Sequence, residues 1–134
     1  MRHFILLAIC IALAACNGGN NNECDDCPAA CTYDFRFLTI DVKDSEGNPV
    51  ELKDYNVTVK KTNEALNITF KSSTEGSYVI ASDSHMKELA CDGTKVEFNY
   101  SIDGDSYKTE TFLIGKDCCH IQWRDDKAQE IIID

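Results

Sequence analysis

The chain has 134 residues and a formal net charge of −10, with 23 acidic residues against 13 Lys and Arg. This balance argues against nucleic acid as a partner, because binding a phosphate backbone needs clustered cations and the longest basic run is Lys60-Lys61. About 100 residues follow the N-terminal segments, which is the size of one β-sandwich domain and enough for one hydrophobic core.

The first sixteen residues combine a cation, Arg2, an apolar run over residues 4–15 and the sequence Leu-Ala-Ala-Cys at residues 13–16. The apolar run is about a dozen residues, whereas a membrane-spanning helix needs roughly 20, so we predict a cleaved export signal. The segment resembles the signal and lipobox of bacterial lipoprotein precursors. That resemblance implies cleavage after residue 15 and lipidation of Cys16, with a diacylglyceryl group on sulfur and an acyl chain such as palmitate on the amine.

An ordinary secretory signal is the alternative, because Ala-Leu-Ala at residues 12–14 also fits a small-residue cleavage site. In lipoproteins similar to this chain, Asp after the lipidated cysteine favours the inner membrane, and Asn17 stands there instead. The resemblance therefore implies an outer-membrane protein. Glu23, Asp25 and Asp26 resemble the acidic export signals of Bacteroidota surface lipoproteins but lie further from the cysteine, so the periplasmic face and the cell surface both stay open.

The predicted organisation is a signal peptide at residues 1–15, a lipidated flexible tether at residues 16–32 and a β-sandwich domain at residues 33–134. Two or more acyl chains hold a protein stably on a membrane, so the membrane is the first expected partner. The tether contains only seven residues between Cys16 and Cys24, which extend to roughly 25 Å. We therefore expect the domain to lie close to the membrane, where other outer-membrane proteins are further expected partners.

Eight cysteines in a short exported chain predict an oxidising compartment. Cys10 is removed with the signal peptide and Cys16 is assigned to the lipid. Six cysteines remain as disulfide candidates: Cys24, Cys27, Cys31, Cys91, Cys118 and Cys119. A strand at residues 118–123 would place Cys119 on the core face beside Ile121 and Trp123. We therefore expect Cys119 to pair with Cys91, Cys118 to pair with a tail cysteine, and the other two tail cysteines to pair with each other.

From residue 33 onward, apolar and polar residues alternate and turn signals recur, which is typical of an antiparallel sandwich. The predicted strands lie near residues 33–43, 56–60, 66–70, 78–81, 96–102, 107–114, 118–123 and 130–134, with one helical turn at residues 85–89. The predicted fold class is all-β: a single antiparallel, Ig-like or prealbumin-like sandwich of about seven to eight strands. Phe35 and Phe37 lie on the face opposite the core-facing Leu38 and Ile40. We expect the disulfide-bonded tail, residues 16–32, to cover them.

Three segments, residues 42–50, 57–59 and 74–78, contain an acidic strand end, a Gly-Asn-Pro turn, a short valine-rich strand and Thr-Glu-Gly-Ser-Tyr. Together they resemble the carboxypeptidase regulatory-like, or transthyretin-like, sandwich family over residues 40–80, with a spacing of Thr74, Gly76 and Tyr78 that departs by one residue from the commonest form. Residues 115–121 resemble a segment of exported Bacteroidota proteins of this sandwich type. The resemblance implies a sandwich with a secreted or surface role, usually without catalytic activity.

Cys118-Cys119-His120 is the one local cluster of residues that could bind a metal or take part in catalysis. A zinc site is the alternative to disulfide bonds, with Cys24, Cys27 and either His120 or Cys118 as ligands. A second Cys-x-x-Cys is missing and oxidation competes outside the cytoplasm, so disulfides are favoured and no metal or cofactor is expected.

Acidic pairs at residues 44 and 46 and at residues 103 and 105 permit calcium in a turn, although such acids are more often plain turn formers. No hydrolase, metalloprotease or phosphate-loop motif is present. The chain also ends in Glu-Ile-Ile-Ile-Asp, without the Tyr-Arg-Gly-Ser of transthyretin-like 5-hydroxyisourate hydrolases.

These observations favour a non-enzymatic surface lipoprotein that binds or scaffolds, with no catalytic residue. The alternative is an accessory domain that partners a separately encoded peptidase or glycan-degrading enzyme. An enzyme of another kind would be indicated by a deep pocket that holds His85 or His120 beside a carboxylate.

Overall fold

The computed structural model describes residues 24–25, 27 and 30–134. The predicted signal, the predicted lipidation site Cys16 and the tether up to residue 23 lie outside the described residues. The described strands are β1 Phe37–Asp44, β2 Asp54–Val59, β3 Glu64–Ala65, β4 Ser77–Ser82, β5 Thr94–Ser101, β6 Tyr107–Lys116, β7 Ile121–Trp123 and β8 Glu130–Ile133, and a 3-10 helix, η1, spans Asp83–His85.

Two sheets pack on one core. One sheet has the order β4-β1-β8 and the other has the order β3-β2-β5-β6-β7. The prediction of an all-β sandwich is confirmed. One pair departs from the antiparallel pattern, because β1 and β8 run parallel from Asp41 opposite Glu130 to Asp44 opposite Ile133. Parallel neighbours need a crossover connection, and here the chain builds the whole five-stranded sheet between its first and last strands.

The core lies between the sheets and follows the alternation seen in the sequence. Buried side chains come from every second residue of most strands: Leu38, Ile40 and Val42 in β1, Val57 and Val59 in β2, Val96, Phe98 and Tyr100 in β5, Phe112 and Ile114 in β6, and Ile131 and Ile133 in β8. Because these positions are inward on both sheets, the core has the two-layer form that a sandwich requires.

The predicted strand at residues 66–70 is wrong. A tight turn at Asn63, with φ of 57°, returns the chain for only the two residues of β3, and Leu66 donates the last hydrogen bond to Val57 O. The chain then leaves the sheet, and the carbonyl of Asn67 lies 3.2 Å from His85 Nε2. Phe70 is consequently 43% exposed instead of buried with Leu66.

Strand directions define two ends of the sandwich. The arm end contains the start of β1, the end of β4, η1, and the loops before β5 and after β6. The far end contains the end of β1, the start of β2, the start of β4 and the hairpin between β5 and β6. An eight-residue strand such as β5 spans about 24 Å, which sets the distance between the two ends. We call residues 24–36 the arm.

At the far end, the loop after β1 packs against the start of β4. Gly76 has φ of 71°, and a Cβ there would lie 2.6 Å from Pro49 Cβ, so the close approach requires glycine. The Tyr78 hydroxyl accepts a hydrogen bond from Leu52 N at 2.7 Å and donates to Val50 O at 2.9 Å. Gly76 and Tyr78 therefore hold residues 49–52 against the start of β4.

Candidate functional site

The arm is fastened to one end of the sandwich by three disulfides. Cys24 pairs with Cys91, Cys27 with Cys118 and Cys31 with Cys119, with Cα–Cα distances of 5.5, 5.2 and 5.3 Å. All six candidate cysteines are thus paired, and Cys118 does reach the tail as expected. The expected Cys91–Cys119 bridge and the bridge within the tail are wrong, because every tail cysteine pairs with the domain.

The pairing differs from the expectation because residues 118–120 form a turn, and β7 begins only at Ile121. Asp117 Oδ1 accepts hydrogen bonds from the backbone N–H groups of Cys119 and His120, both at 2.7 Å. Burial alone would raise the pKa of Asp117, but these two donors, with the nearby His120 and Arg36, bring that pKa below its usual value. Strand alternation therefore does not apply to Cys119, and both adjacent cysteines face the arm.

A polar cluster ties the arm to the domain beside the disulfides. Asp83 accepts hydrogen bonds from Arg36 N at 2.9 Å, Ile121 N at 2.9 Å and His120 Nδ1 at 2.8 Å. His120 Nε2 lies 2.9 Å from the Thr32 hydroxyl, and the His120 side chain is 7% exposed. Because a carboxylate oxygen accepts, His120 Nδ1 donates to Asp83, and Nε2 on the other side of the ring forms a hydrogen bond with the Thr32 hydroxyl. We call Thr32, Arg36, Asp83 and His120 the clasp.

The clasp combines a hydroxyl, an imidazole and a carboxylate in one chain of hydrogen bonds, and in nucleophilic enzymes such an order activates the hydroxyl. In this structure the cluster connects the arm, η1 and the turn before β7. Sequence reasoning named His120 but missed Asp83 and Thr32. Asp83 had a usable signal, since an acid after Ser82 and two residues before His85 is typical of a helix start.

His85 lies elsewhere at the arm end and is also buried. Its Nδ1 accepts from Ser82 N at 3.1 Å, and its Nε2–H donates to Asn67 O at 3.2 Å. The helical turn predicted for residues 85–89 begins two residues earlier, as η1, with turns following it. His85 therefore fixes the segment that leaves β3.

The residues considered for zinc and calcium have structural roles in the described part of the chain. Cys24, Cys27 and Cys118, considered as zinc ligands, are each held in a disulfide. Asp44 accepts from the Asn48 side chain and from the backbone N–H groups of Asn48 and Glu46, which lowers its pKa. Asp103 caps the hairpin in the same way. These two acids are turn formers, as the simpler interpretation expected.

An open groove of about 960 Å³ runs along one edge of the sandwich toward the far end. Its walls include the loop at residues 51–53, the first half of β2, residues 65–68, and residues 74–78. The strand β3 pairs with Thr58 and Val59 of β2, and Leu66 adds one hydrogen bond to Val57, so the first half of β2, residues 54–56, is an uncovered edge. Mixed charges, among them Lys53, Asp54 and Lys71, surround a partly apolar floor that includes Ile68.

The expectation that the arm covers Phe35 and Phe37 is wrong. The two residues are 48% and 43% exposed, and they contact each other and Phe70 with ring centroids 5.0 to 5.7 Å apart. The described arm residues instead run toward the loops that hold the partner cysteines. These three phenylalanines therefore form an exposed aromatic patch at the arm end.

In comparisons with known proteins, no family model, curated protein or solved structure matches the chain. In the part of the chain that the structure describes, no helix is long and apolar enough to span a bilayer.

Proposed function

We propose that this protein is a non-enzymatic outer-membrane lipoprotein, anchored through Cys16, whose β-sandwich acts as a binding or scaffolding module. One observation carries the proposal: three disulfides and the clasp hold the arm at one end, while the groove extends toward the other. A lipid on Cys16 would then keep the arm end near the membrane and leave the far end directed away from it.

The separation of the two ends suits a module that presents a binding surface. The anchor and the arm would occupy one end, so a partner reaches the groove without displacing the attachment. The uncovered edge at the first half of β2 offers main-chain hydrogen bonds to an extended segment, which is how many sandwich and sheet domains bind peptides. We therefore assign the groove to an extended polypeptide of a neighbouring envelope protein.

Anchoring is tested first. Cys16→Ser should move the protein from the membrane fraction to the soluble fraction, and the wild type should incorporate a labelled fatty acid that the variant does not. A variant that still pellets with membranes after alkaline washing would contradict lipid anchoring.

Binding is tested by a photoreactive amino acid at Lys53, an exposed residue in the groove wall, with Lys108 on β6 as the matched exposed control. We expect a specific envelope-protein adduct at position 53, reduced in the Cys16→Ser background because the protein no longer concentrates at the membrane. The same adducts at positions 53 and 108 would contradict a role for the groove.

A further inference from the structure

The aromatic patch consists of Phe35, Phe37 and Phe70, whose rings contact one another in edge-to-face or tilted arrangements. Two of them come from the arm and the start of β1, and the third comes from the segment that leaves the sheet after β3. Each of the three residues is between 43% and 48% exposed. Three large apolar side chains from distant parts of the sequence thus converge on one solvent-facing surface.

The patch concentrates exposed apolar surface at the arm end. Tyr33 in the arm is fully exposed, whereas the other large exposed apolar side chains of the described residues are Ile102 and Tyr107 at the far end and Ile132 on β8. Exposed apolar residues scattered singly need no explanation, but a contiguous cluster marks an interaction surface.

The charges that adjoin the patch are of both signs. The neighbours Arg36 and Lys71 are exposed cations, and Arg36 is paired with the exposed acid Asp34 at 3.5 Å. The immediate border of the patch is therefore close to neutral, and the net charge of −10 lies elsewhere on the chain.

The position of the arm indicates which surface lies near the patch. The chain enters the described structure at Cys24, which is bonded to Cys91 at the same end of the sandwich as η1 and the start of β1. Only residues 17–23 separate Cys24 from Cys16, and a fully extended chain covers about 3.3–3.6 Å per residue, or roughly 25 Å here. A lipid on Cys16 therefore keeps the membrane surface within reach of the patch.

We propose that Phe35, Phe37 and Phe70 insert into the boundary between headgroups and acyl chains of the bilayer that holds the Cys16 lipid, and so seat the arm end on the membrane. The proposal rests on the proposed lipid anchoring. Apolar side chains bind this boundary in proportion to the area they bury, and a short tether raises the local concentration of the patch at the surface. The net negative charge predicts weaker seating on anionic bilayers than on zwitterionic ones.

The test supplies the anchor chemically, so it does not depend on lipidation in the cell. The mature chain from residue 16 has one thiol outside the three disulfides, Cys16, which is coupled to a maleimide lipid in phosphatidylcholine vesicles. Trp123→Phe removes the native tryptophan, and Phe37→Trp or Phe70→Trp then places one reporter in the patch. Tyr107→Trp, at the far end, is the matched control because its side chain has a similar exposure of 50%.

We expect brominated phospholipids to quench a tryptophan at position 37 or 70 at least twofold and to leave a tryptophan at position 107 unchanged. In a native-tryptophan background, the variant with all three phenylalanines replaced by serine should bind vesicles roughly tenfold more weakly when uncoupled, whereas Ile132→Ser should not. Absence of quenching at positions 37 and 70 would overturn the seating, as would protection of the patch by a second copy of the chain. Fatty-acid labelling of Cys16 is scored separately, so failure of the anchor and failure of the patch are distinguishable.

Discussion

The two ends of this sandwich are stabilised by different means. At the arm end, irregular segments are held by three disulfides and by the carboxylate of Asp83, which binds three separate donors. At the far end, tight turns are held by local hydrogen bonds around Asp44 and Asp103 and by the hydroxyl of Tyr78. Long-range covalent links thus secure the end that faces the proposed anchor, while short-range turn chemistry shapes the end that carries the groove.

The largest effect should come from the disulfides of the arm. The bridges Cys27–Cys118 and Cys31–Cys119 span 91 and 88 residues of nearly the same loop. When one is present, the other closes only a small ring, so replacing either pair by serines should cost about 2 kcal/mol in a chain-entropy model. Replacing both pairs should cost roughly 5–6 kcal/mol, more than the sum of the single losses. Urea unfolding of the three variants measures this, and strict additivity would contradict the shared-loop argument.

The clasp should give the next largest effect. Asp83→Asn removes the charge that binds Arg36 N, Ile121 N and His120, so we expect a loss of about 1.5–3 kcal/mol in the free energy of unfolding. The matched control is Asp34→Asn, an exposed acid 3.7 Å from His120, for which we expect a change within about 0.5 kcal/mol. Faster tryptic cleavage after Arg36 should accompany the Asp83 change alone. Equal effects of the two substitutions would show that the clasp does not hold the arm.

The Tyr78 hydroxyl tests how the far end is stabilised. Tyr78→Phe deletes the group that bridges Val50 and Leu52, so we expect a loss of about 1 kcal/mol and no change in cleavage after Arg36. Tyr55→Phe is the control, because the described residues provide no hydrogen bond to the Tyr55 hydroxyl. An arm loosened by the Tyr78 change would mean that the two ends are coupled.

The smallest effect is expected at Asp103, whose exposed carboxylate accepts from the backbone of Ser106 and Asp105 and from the hydroxyl of Ser101. These bonds lower the pKa of Asp103 from 3.8 to about 2. Because the folded state favours the ionised form, its stabilisation is present above about pH 4 and is lost as the pH falls toward about 2. The difference in Tm between wild type and Asp103→Asn should therefore shrink over that interval. A constant difference there would contradict the capping role.

Strand alternation made the sandwich predictable, and the pattern of Val96 to Ser101 reappears as β5 almost without change. The same rule failed at Cys119, because an Asp117 turn replaced the strand on which the argument depended. It failed again at residues 66–70, where contact with His85 outweighed local alternation. Periodicity reports which face is buried only while the chain stays in a sheet.

The site was less predictable than the fold. The six cysteines were identified as disulfide candidates, but their pairing depends on which loops meet in space, and sequence spacing does not contain that information. His120 was visible as a residue type that bears chemistry, whereas its partners Thr32 and Asp83 lie 88 and 37 residues away in the chain. The groove was not foreseen, since it results from β3 ending after two residues.

The orientation of the two ends relative to the membrane tests the account most directly. One added cysteine, at Lys87 near η1 or at Asp105 in the far-end hairpin, gives the lipidated protein a single labelling site. Energy transfer to an acceptor on phosphatidylcholine headgroups then measures the distance of each end from the bilayer. The account predicts that position 87 lies nearer the surface than position 105 by on the order of 20 Å, the length of the sandwich strands. Equal distances, or a nearer position 105, would contradict an arm end that faces the membrane.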